Sequence, residues 1–452
     1  MALKQMDALA ALREAAGEVI ETSLCDVQGS WLALVNTEEG KRLAFAAKGE
    51  AALSALWKDV EKEADVKDVH VSVMALNANN AALVRRYVKW TAPTACGTKG
   101  ASIGFSDWLG EADAVVAELF GKRQLKPVLV DFTTEDSEAL QRYFVQAVDT
   151  ATWGVFEEGY KEGYGANAAG LKTEEEIVKA LLYGYSMIGF DCSDKIDLGI
   201  EKLSDEAVDK RFEQFNETFR AALHASYLNA EFKVGTSKIT FTENQLHRIV
   251  LEYGEAIMHI QFIYNSYLKN TPWDIDFELD LSKPGKVLTP QEHYLIGNEL
   301  QRNGIKLSSI CLDPLKDSEA VNDNLQLHCE IADTFGYRLS FKNADIAMND
   351  TAAAMKYLKG KVHFKMNNIL WMSAIELVKA LDADLFGKLC AACGCEATAD
   401  AADRALVLGY RKALNPKEES NVAADMKAFL EAHHAEYAAA IKENVAAKLK
   451  NI

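Results

Sequence analysis

Beyond about residue 80 the chain alternates short β-rich runs with longer stretches whose apolar residues recur every three to four positions. The runs are VKWTAP (88–93), PVLVDF (127–132), SMIGFD (186–191), DIDFELDL (274–281), IKLSSICL (305–312), YRLSFK (337–342), KVHFKM (361–366) and ALVLGY (405–410). Most are followed by a helical pattern, which predicts parallel strands joined by crossover helices. Eight such units predict a closed (β/α)8, TIM-like barrel. The expected fold class is therefore α/β, with the barrel over residues 81–452 and an N-terminal α/β cap over 1–80 that includes a strand at VHVSVMAL (69–76). The long interval between the third and fourth runs predicts a helical insertion at about 195–270.

One crossover helix can be read closely. In LTPQEHYLIGNELQRNGIKL, Thr289 caps, Pro290 takes the first helical position, Glu292 completes a capping box and Gly304 stops the helix. The predicted helix spans 290–303 and turns Leu295, Ile296 and Leu300 toward the barrel, with His293 near the preceding strand's end. The last segment, from Val422 onward, reads as one long amphipathic helix with Met426, Phe429, His433, Tyr437 and Ile441 on its apolar side. In DFELDL, Asp276, Glu278 and Asp280 share one face of a strand, so all three enter the barrel or all three face its helices. Three inward acids would need a metal ion or a lysine to compensate them.

Composition narrows the partners. The 452 residues carry 67 acidic and 49 basic side chains, a net charge of −18, which repels phosphate backbones and anionic membranes. No nucleic-acid or membrane partner is expected. MALKQMDALAALREAAGEVIE interleaves charge with alanine and leucine and lacks a signal-peptide core, so the expected location is cytoplasmic. Of the eight cysteines, only Cys390, Cys393 and Cys395 in CAACGC are spaced to share a metal ion, and a single such cluster more often packs as small apolar residues.

The string TWGVFEEGYKEGYGANAAGLKTEEEI (152–177) resembles the tagaturonate epimerase family, whose members carry W-G-V-F…G-Y-G-A-D-A-D-H-L-K-T. RYVKWTAPT…GFSDWLG (86–110), DCSDKIDL (191–198), FGYRLSF (335–341), GKVHFK (360–365) and ALVLGYRKAL (405–414) follow in the family's order, so the resemblance covers about residues 80–445. It implies a TIM-like barrel and an enzyme that interconverts tagaturonate and fructuronate with a divalent metal. These ketouronates differ at C4, which is not adjacent to the C2 ketone. Retro-aldol cleavage of C3–C4, rotation and re-addition is a route that needs a cation at the ketone, a base at the C4 hydroxyl and positive charge for the carboxylate.

The sequence departs from the family pattern where that chemistry would sit. An acidic motif after the fourth strand is replaced by Ser282 and Lys283, and a histidine loop becomes KNADIAM, with Lys342, Ile346 and Ala347 at ionisable positions. Asn167, Ala169 and Gly170, then Met366, Asn367 and Asn368, and finally Val407 stand at further altered positions. Asp107, Asp191, Lys172, His259, His293 and Lys365 remain at matching ones.

The expectation is thus a divergent family member with a degenerate site, acting as a binding, regulatory or structural subunit without a cofactor. It would bind an anionic sugar acid and form a homo-oligomer, or a hetero-oligomer with a paralogue. The alternative is an active ketouronate or ketose epimerase with a rearranged site. For that site the candidates are Lys342, Lys365 and Asp191 as catalytic groups, and Asp107, Lys172, Lys283 and His293 as substrate contacts. Lysine could replace metal by Schiff-base chemistry if burial lowers its pKa. If a divalent metal survives, its ligands would come from Asp191, Glu278, Asp280, His293 and His363.

Overall fold

A computed structural model describes residues 2–49, 53–121, 125–281, 288–315, 318–348, 351–450 and 452. The chain opens with a helix, Gln5–Ala15, and five antiparallel strands: β1 (Glu18–Val27), β2 (Ser30–Thr37), β3 (Gly40–Lys48), β4 (Val60–Val66) and β5 (Val69–Met74), in the order β1-β2-β3-β5-β4. Strand alternation makes both faces apolar. Ala33, Val35, Ala44, Ala46 and Val71 pack under the N-terminal helix, while Leu32, Leu34, Leu43 and Phe45 pack toward Trp90, Trp153 and Phe156 of the barrel layer. The two outer strands differ from the inner ones: β1 carries a register shift between Ile20 and Cys25, and β4 is mostly exposed and charged.

Eight parallel strands then close a barrel: β6 (Ser102–Gly104), β7 (Lys126–Thr133), β8 (Gly165–Leu171), β9 (Met187–Asp191), β12 (Asp276–Asp280), β13 (Ser309–Leu312), β14 (Arg338–Phe341) and β15 (Val362–Lys365). Between β9 and β12 lie helices Asp205–Phe212 and Glu217–Tyr227, a hairpin of β10 (Phe232–Val234) and β11 (Ser237–Ile239), and helix Glu243–Ile263. Among the described residues no helix is long and apolar enough to cross a membrane.

Six of the expected barrel strands are present and two are replaced. VKWTAP forms a single 3-10 turn, Lys89–Thr91, and ALVLGY falls into helices Arg404–Leu408 and Tyr410–Ala413. The strands that take their places are short or poor in β-branched residues: SIG in β6 and GANAAGL in β8. Small residues in β8 are required by packing. A Cβ on Gly165 would lie 2.9 Å from Val128 Cγ2 and 3.0 Å from Cys96 Sγ. The preceding WGVF segment is helical within Phe144–Glu158, where a Cβ on Gly154 would meet the backbone nitrogen of Ala114 at 2.7 Å, so glycine sets the approach of helix Asp113–Phe120.

Helix Pro290–Arg302 has the capping box read from its sequence: the Thr289 side chain accepts from Glu292 N, and Glu292 accepts from Thr289 N at 2.7 Å. The C-terminal segment breaks at His433 into Ala423–Ala432 and His434–Leu449 instead of running as one helix, and Tyr437 donates to the Leu370 carbonyl at 3.1 Å.

Candidate active site

The acids of β12 enter the barrel at three depths. Asp276, at the N-terminal end, accepts from the backbone nitrogens of Cys96 at 2.6 Å and Gly97 at 3.0 Å. Glu278, one step up, accepts from Lys365 Nζ at 2.5 Å and from Ser309 Oγ at 2.8 Å. Asp280, at the C-terminal rim, is paired with Lys342. The Lys365 ammonium also faces Asp131 at 3.7 Å, and Asn167 Nδ2 donates to Asp131 at 2.8 Å. Lysine thus compensates Glu278 and Asp280, while backbone N–H groups compensate Asp276.

This centre is sealed. Side-chain exposure is 2% for Lys365, 1% for Glu278 and 0% for Asp131. Neighbouring strands supply the room: a Cβ on Gly104 would lie 2.7 Å from Asp131 Oδ2, and one on Gly189 would lie 3.2 Å from Asn167 Oδ1. Asp131 Oδ2 finds no hydrogen-bond partner among the described residues. Deeper in the barrel, Ser102 Oγ joins His363 Nδ1 at 2.9 Å and Arg338 Nη1 at 2.8 Å.

Burial and charge set the protonation states. Burial alone would depress the Lys365 pKa, but Asp131 and Glu278 outweigh it and hold the ammonium well above its ordinary range. Lys342 is likewise raised, the pull of burial being overcome chiefly by Asp280. Burial pushes Asp131 up, tempered by Lys365, whereas for Glu278 burial is overcome by Lys365 together with His363 and Ser340, and the carboxyl is lowered. His363 is pushed down to about 3 by burial, with Lys365 and Arg338 adding to the effect, so its ring is neutral. Schiff-base chemistry needs a lysine depressed by burial, and neither lysine meets that condition in this arrangement.

The rim gathers other candidates. Asp191 lies beside Asp280 in the parallel register, accepts from Ser193 N at 2.8 Å and faces Lys172 at 3.7 Å. Lys172 bonds Asp194 at 3.0 Å and is 41% exposed. Lys342, Asp280, Asp191 and Lys172 therefore crown the C-terminal ends of β14, β12, β9 and β8, where a parallel barrel places its chemistry. The KNADIAM loop becomes a short helix, Ala344–Ala347, whose Asp345 accepts from Asn368 N at 2.8 Å.

Other candidates sit elsewhere. His293 is fully buried in the helical layer, its Nδ1 2.9 Å from His328 Nδ1 and its Nε2 2.8 Å from the Tyr337 hydroxyl, so its position is not at the rim. His259 packs on Phe190 with ring centroids 5.4 Å apart, on the outer face of β9. Both carboxylate oxygens of Asp107 accept backbone nitrogens, from Gly110 at 2.8 Å and Ala112 at 2.7 Å, which shapes the loop before helix Asp113–Phe120. Lys283 lies outside the described residues. Among the described residues the thiols of Cys390, Cys393 and Cys395 do not converge as one three-donor group. Asp131 was not singled out from the sequence, although an aspartate inside the apolar run PVLVDF is the kind of buried polar residue that marks a site.

The larger cavities lie to either side of this centre. One, of about 420 Å³, between the insertion and helix Pro290–Arg302, is lined by Glu201, Arg248, Glu252 and Glu292, an acidic set poorly suited to an anion. Another, of about 680 Å³, opens at the N-terminal ends of the strands beside Asp276, Ser308 and Tyr337.

A closed eight-stranded parallel barrel with charged side chains crowning its C-terminal rim defines a TIM-type α/β barrel of the class that commonly carries enzymes. Residues 20–437 match the family model described as tagaturonate epimerase, and the chain belongs to that family. It is 28% identical over 383 residues to the tagaturonate/fructuronate epimerase of Thermotoga maritima, covering 82% of this chain and 78% of that protein. A glycerol-complexed crystal structure of the fructuronate-tagaturonate epimerase UxaE from Cohnella laeviribosi superposes with a TM-score of 0.85 at 25% identity, over 97% of this chain and 98% of that one. The native crystal structure of the same enzyme gives 0.84 at 25% identity, over 98% and 97%.

The family resemblance implies a divalent metal, and Glu278 and Asp280 do not fit one as arranged. The Glu278 oxygens are taken by Lys365 and Ser309, and Asp280 holds Lys342. A divalent ion at either carboxylate would face an ammonium group at contact distance, a like-charge opposition.

Proposed function

We propose that the protein is a carbohydrate epimerase or isomerase acting on a ketouronate or a closely related ketose, with a rearranged centre in which fixed ammonium groups carry the positive charge. The observation that supports this most is the pairing of Lys342 with Asp280 beside Asp191 at the barrel rim, within a chain that matches the tagaturonate epimerase family over residues 20–437. Lys342, a quarter exposed, is the cation a ligand at the rim can reach, while Lys365 lies beneath it and holds Asp131 and Glu278 in place. Lys172, more exposed, suits the carboxylate of a sugar acid.

In a retro-aldol route, Asp191 accepts the C4 hydroxyl proton, the C3–C4 bond breaks, and its electron pair flows to the C2 carbonyl oxygen as an enolate facing Lys342. The aldehyde turns, the enolate carbon attacks its other face, the C3–C4 bond reforms and Asp191 returns the proton. No redox partner is needed.

A second reading, a member without turnover that serves as a binding or structural subunit, is favoured by the 2% exposure of Lys365, whose pairing with Glu278 closes the barrel interior. Incubating purified protein with tagaturonate, with and without divalent metals, and following fructuronate by chromatography separates the two. Turnover abolished by Lys342→Ala or Asp191→Asn supports the first reading. Folded protein without turnover under every metal condition overturns it in favour of the second.

A further inference from the structure

We propose that His224, Glu243 and His247, in the helical insertion, bind a zinc-class divalent transition ion. Glu243 opens helix Glu243–Ile263 and His247 follows one turn later, a spacing that sets both side chains on one face. His224, near the end of helix Glu217–Tyr227, completes the group. The Nε2 atoms of His224 and His247 are 2.9 Å apart, and one donor atom from each of the three residues lies within 4.8 Å of the others. No other three-donor group of this kind occurs among the described residues.

The surroundings resemble those of a metal site. Asp209 Oδ1 lies 2.7 Å from His247 Nδ1, and a carboxylate accepting that N–H fixes the tautomer and leaves the Nε2 lone pair aimed at His224. Phe212 stacks on both rings, with its centroid 3.7 Å from that of His247 and 5.5 Å from that of His224, so the imidazoles are held against one surface. Bonds of ~2.0–2.1 Å to a tetrahedral ion put two nitrogens ~3.3 Å apart, so accommodation needs a shift of only a few tenths of an ångström. Glu243 and Asp209 together offset the ion's double charge, and two imidazoles favour zinc-class metals over magnesium or calcium.

The rival occupant of this geometry is a neutral N–H···N bond between the rings. The chain contains that kind of pair too: His293 and His328 also approach to 2.9 Å, but they are sealed at 0% and 2% exposure, and the second nitrogen of His293 meets Tyr337. The insertion pair differs in having two carboxylates at hand and an exposed ligand, Glu243. One ion there would fasten together the three helices that carry Asp209, His224 and His247.

The test is calorimetric titration of the chelator-treated full chain with zinc chloride, alongside the folded variants His224→Gln and Asp209→Asn. The expected result is one zinc per chain, a loss of at least about a hundredfold in affinity in His224→Gln and about ten- to a hundredfold in Asp209→Asn, with zinc raising the melting temperature most in the wild type, less in Asp209→Asn and least in His224→Gln. Zinc binding of equal stoichiometry and affinity in wild type and His224→Gln, or none in the wild type, overturns the proposal.

Discussion

Lys365→Met tests the charge balance inside the barrel most directly. At an effective dielectric near 20, unit charges 2.5 Å apart, as in Lys365–Glu278, attract by ~7 kcal/mol, and 3.7 Å apart, as in Lys365–Asp131, by ~4 kcal/mol. Desolvating the ammonium offsets much of this, and removing one member of a buried pair costs about 3–5 kcal/mol because the other charge is stranded. Adding Glu278→Gln relieves the stranded carboxylate, so the double variant should recover a good part of the loss. The assay is urea unfolding followed by tryptophan fluorescence across the double-mutant cycle. Acidity supplies an internal check. Without the lysine, burial lifts both carboxyls above their unfolded values, so the penalty is full above the raised folded values, shrinks as the pH falls through them and is gone below the unfolded range. A loss under about 1 kcal/mol at neutral pH, or one that does not shrink on acidification, refutes the reasoning.

Gly104→Ala should destabilise by about 1–3 kcal/mol, because its Cβ would come within 2.7 Å of an Asp131 oxygen; an unchanged urea midpoint would contradict this. Borohydride treatment with tagaturonate should leave Lys342 and Lys365 unmodified by mass spectrometry, since their carboxylate partners keep both protonated; a reduced adduct on either would count against that assignment. Burial pushes His328 down to about 4, so the unfolded chain binds the extra proton and stability falls as the pH drops below the unfolded value; His328→Gln should remove a slope of ~2 kcal/mol between pH 7 and 5 from denaturation curves.

Six barrel strands and the capped helix were legible because alternation and capping are local signals. β8 was not, since Gly165 answers to Val128 on the neighbouring strand and to Cys96 in the segment before β6, and the small residues of GANAAGL carry little strand propensity of their own. ALVLGY reads as a strand yet forms helices because Leu406, Val407 and Tyr410 join a core outside the closed barrel. In the site, the alternation of Asp276, Glu278 and Asp280 was readable, but the lysine partners of Asp280 and Glu278 lie 62 and 87 residues away in sequence and no local pattern links them. His293 misleads in the same way: its place beside His328 and Tyr337 depends on two other elements meeting.

The five-stranded N-terminal sheet ends in two outer strands, and neither is an inviting template for another chain. The register shift in β1 disturbs the row of hydrogen-bonding groups a newcomer would need to match. β4 surrounds its backbone with Glu61, Lys62, Glu63 and Asp65, and charges along an edge deter the stacking of strand on strand that leads to aggregation. A sheet with two greasy faces can therefore grip its own helix and the barrel while staying closed to sideways growth, so the same segment that anchors the molecule also helps to keep neighbouring molecules apart.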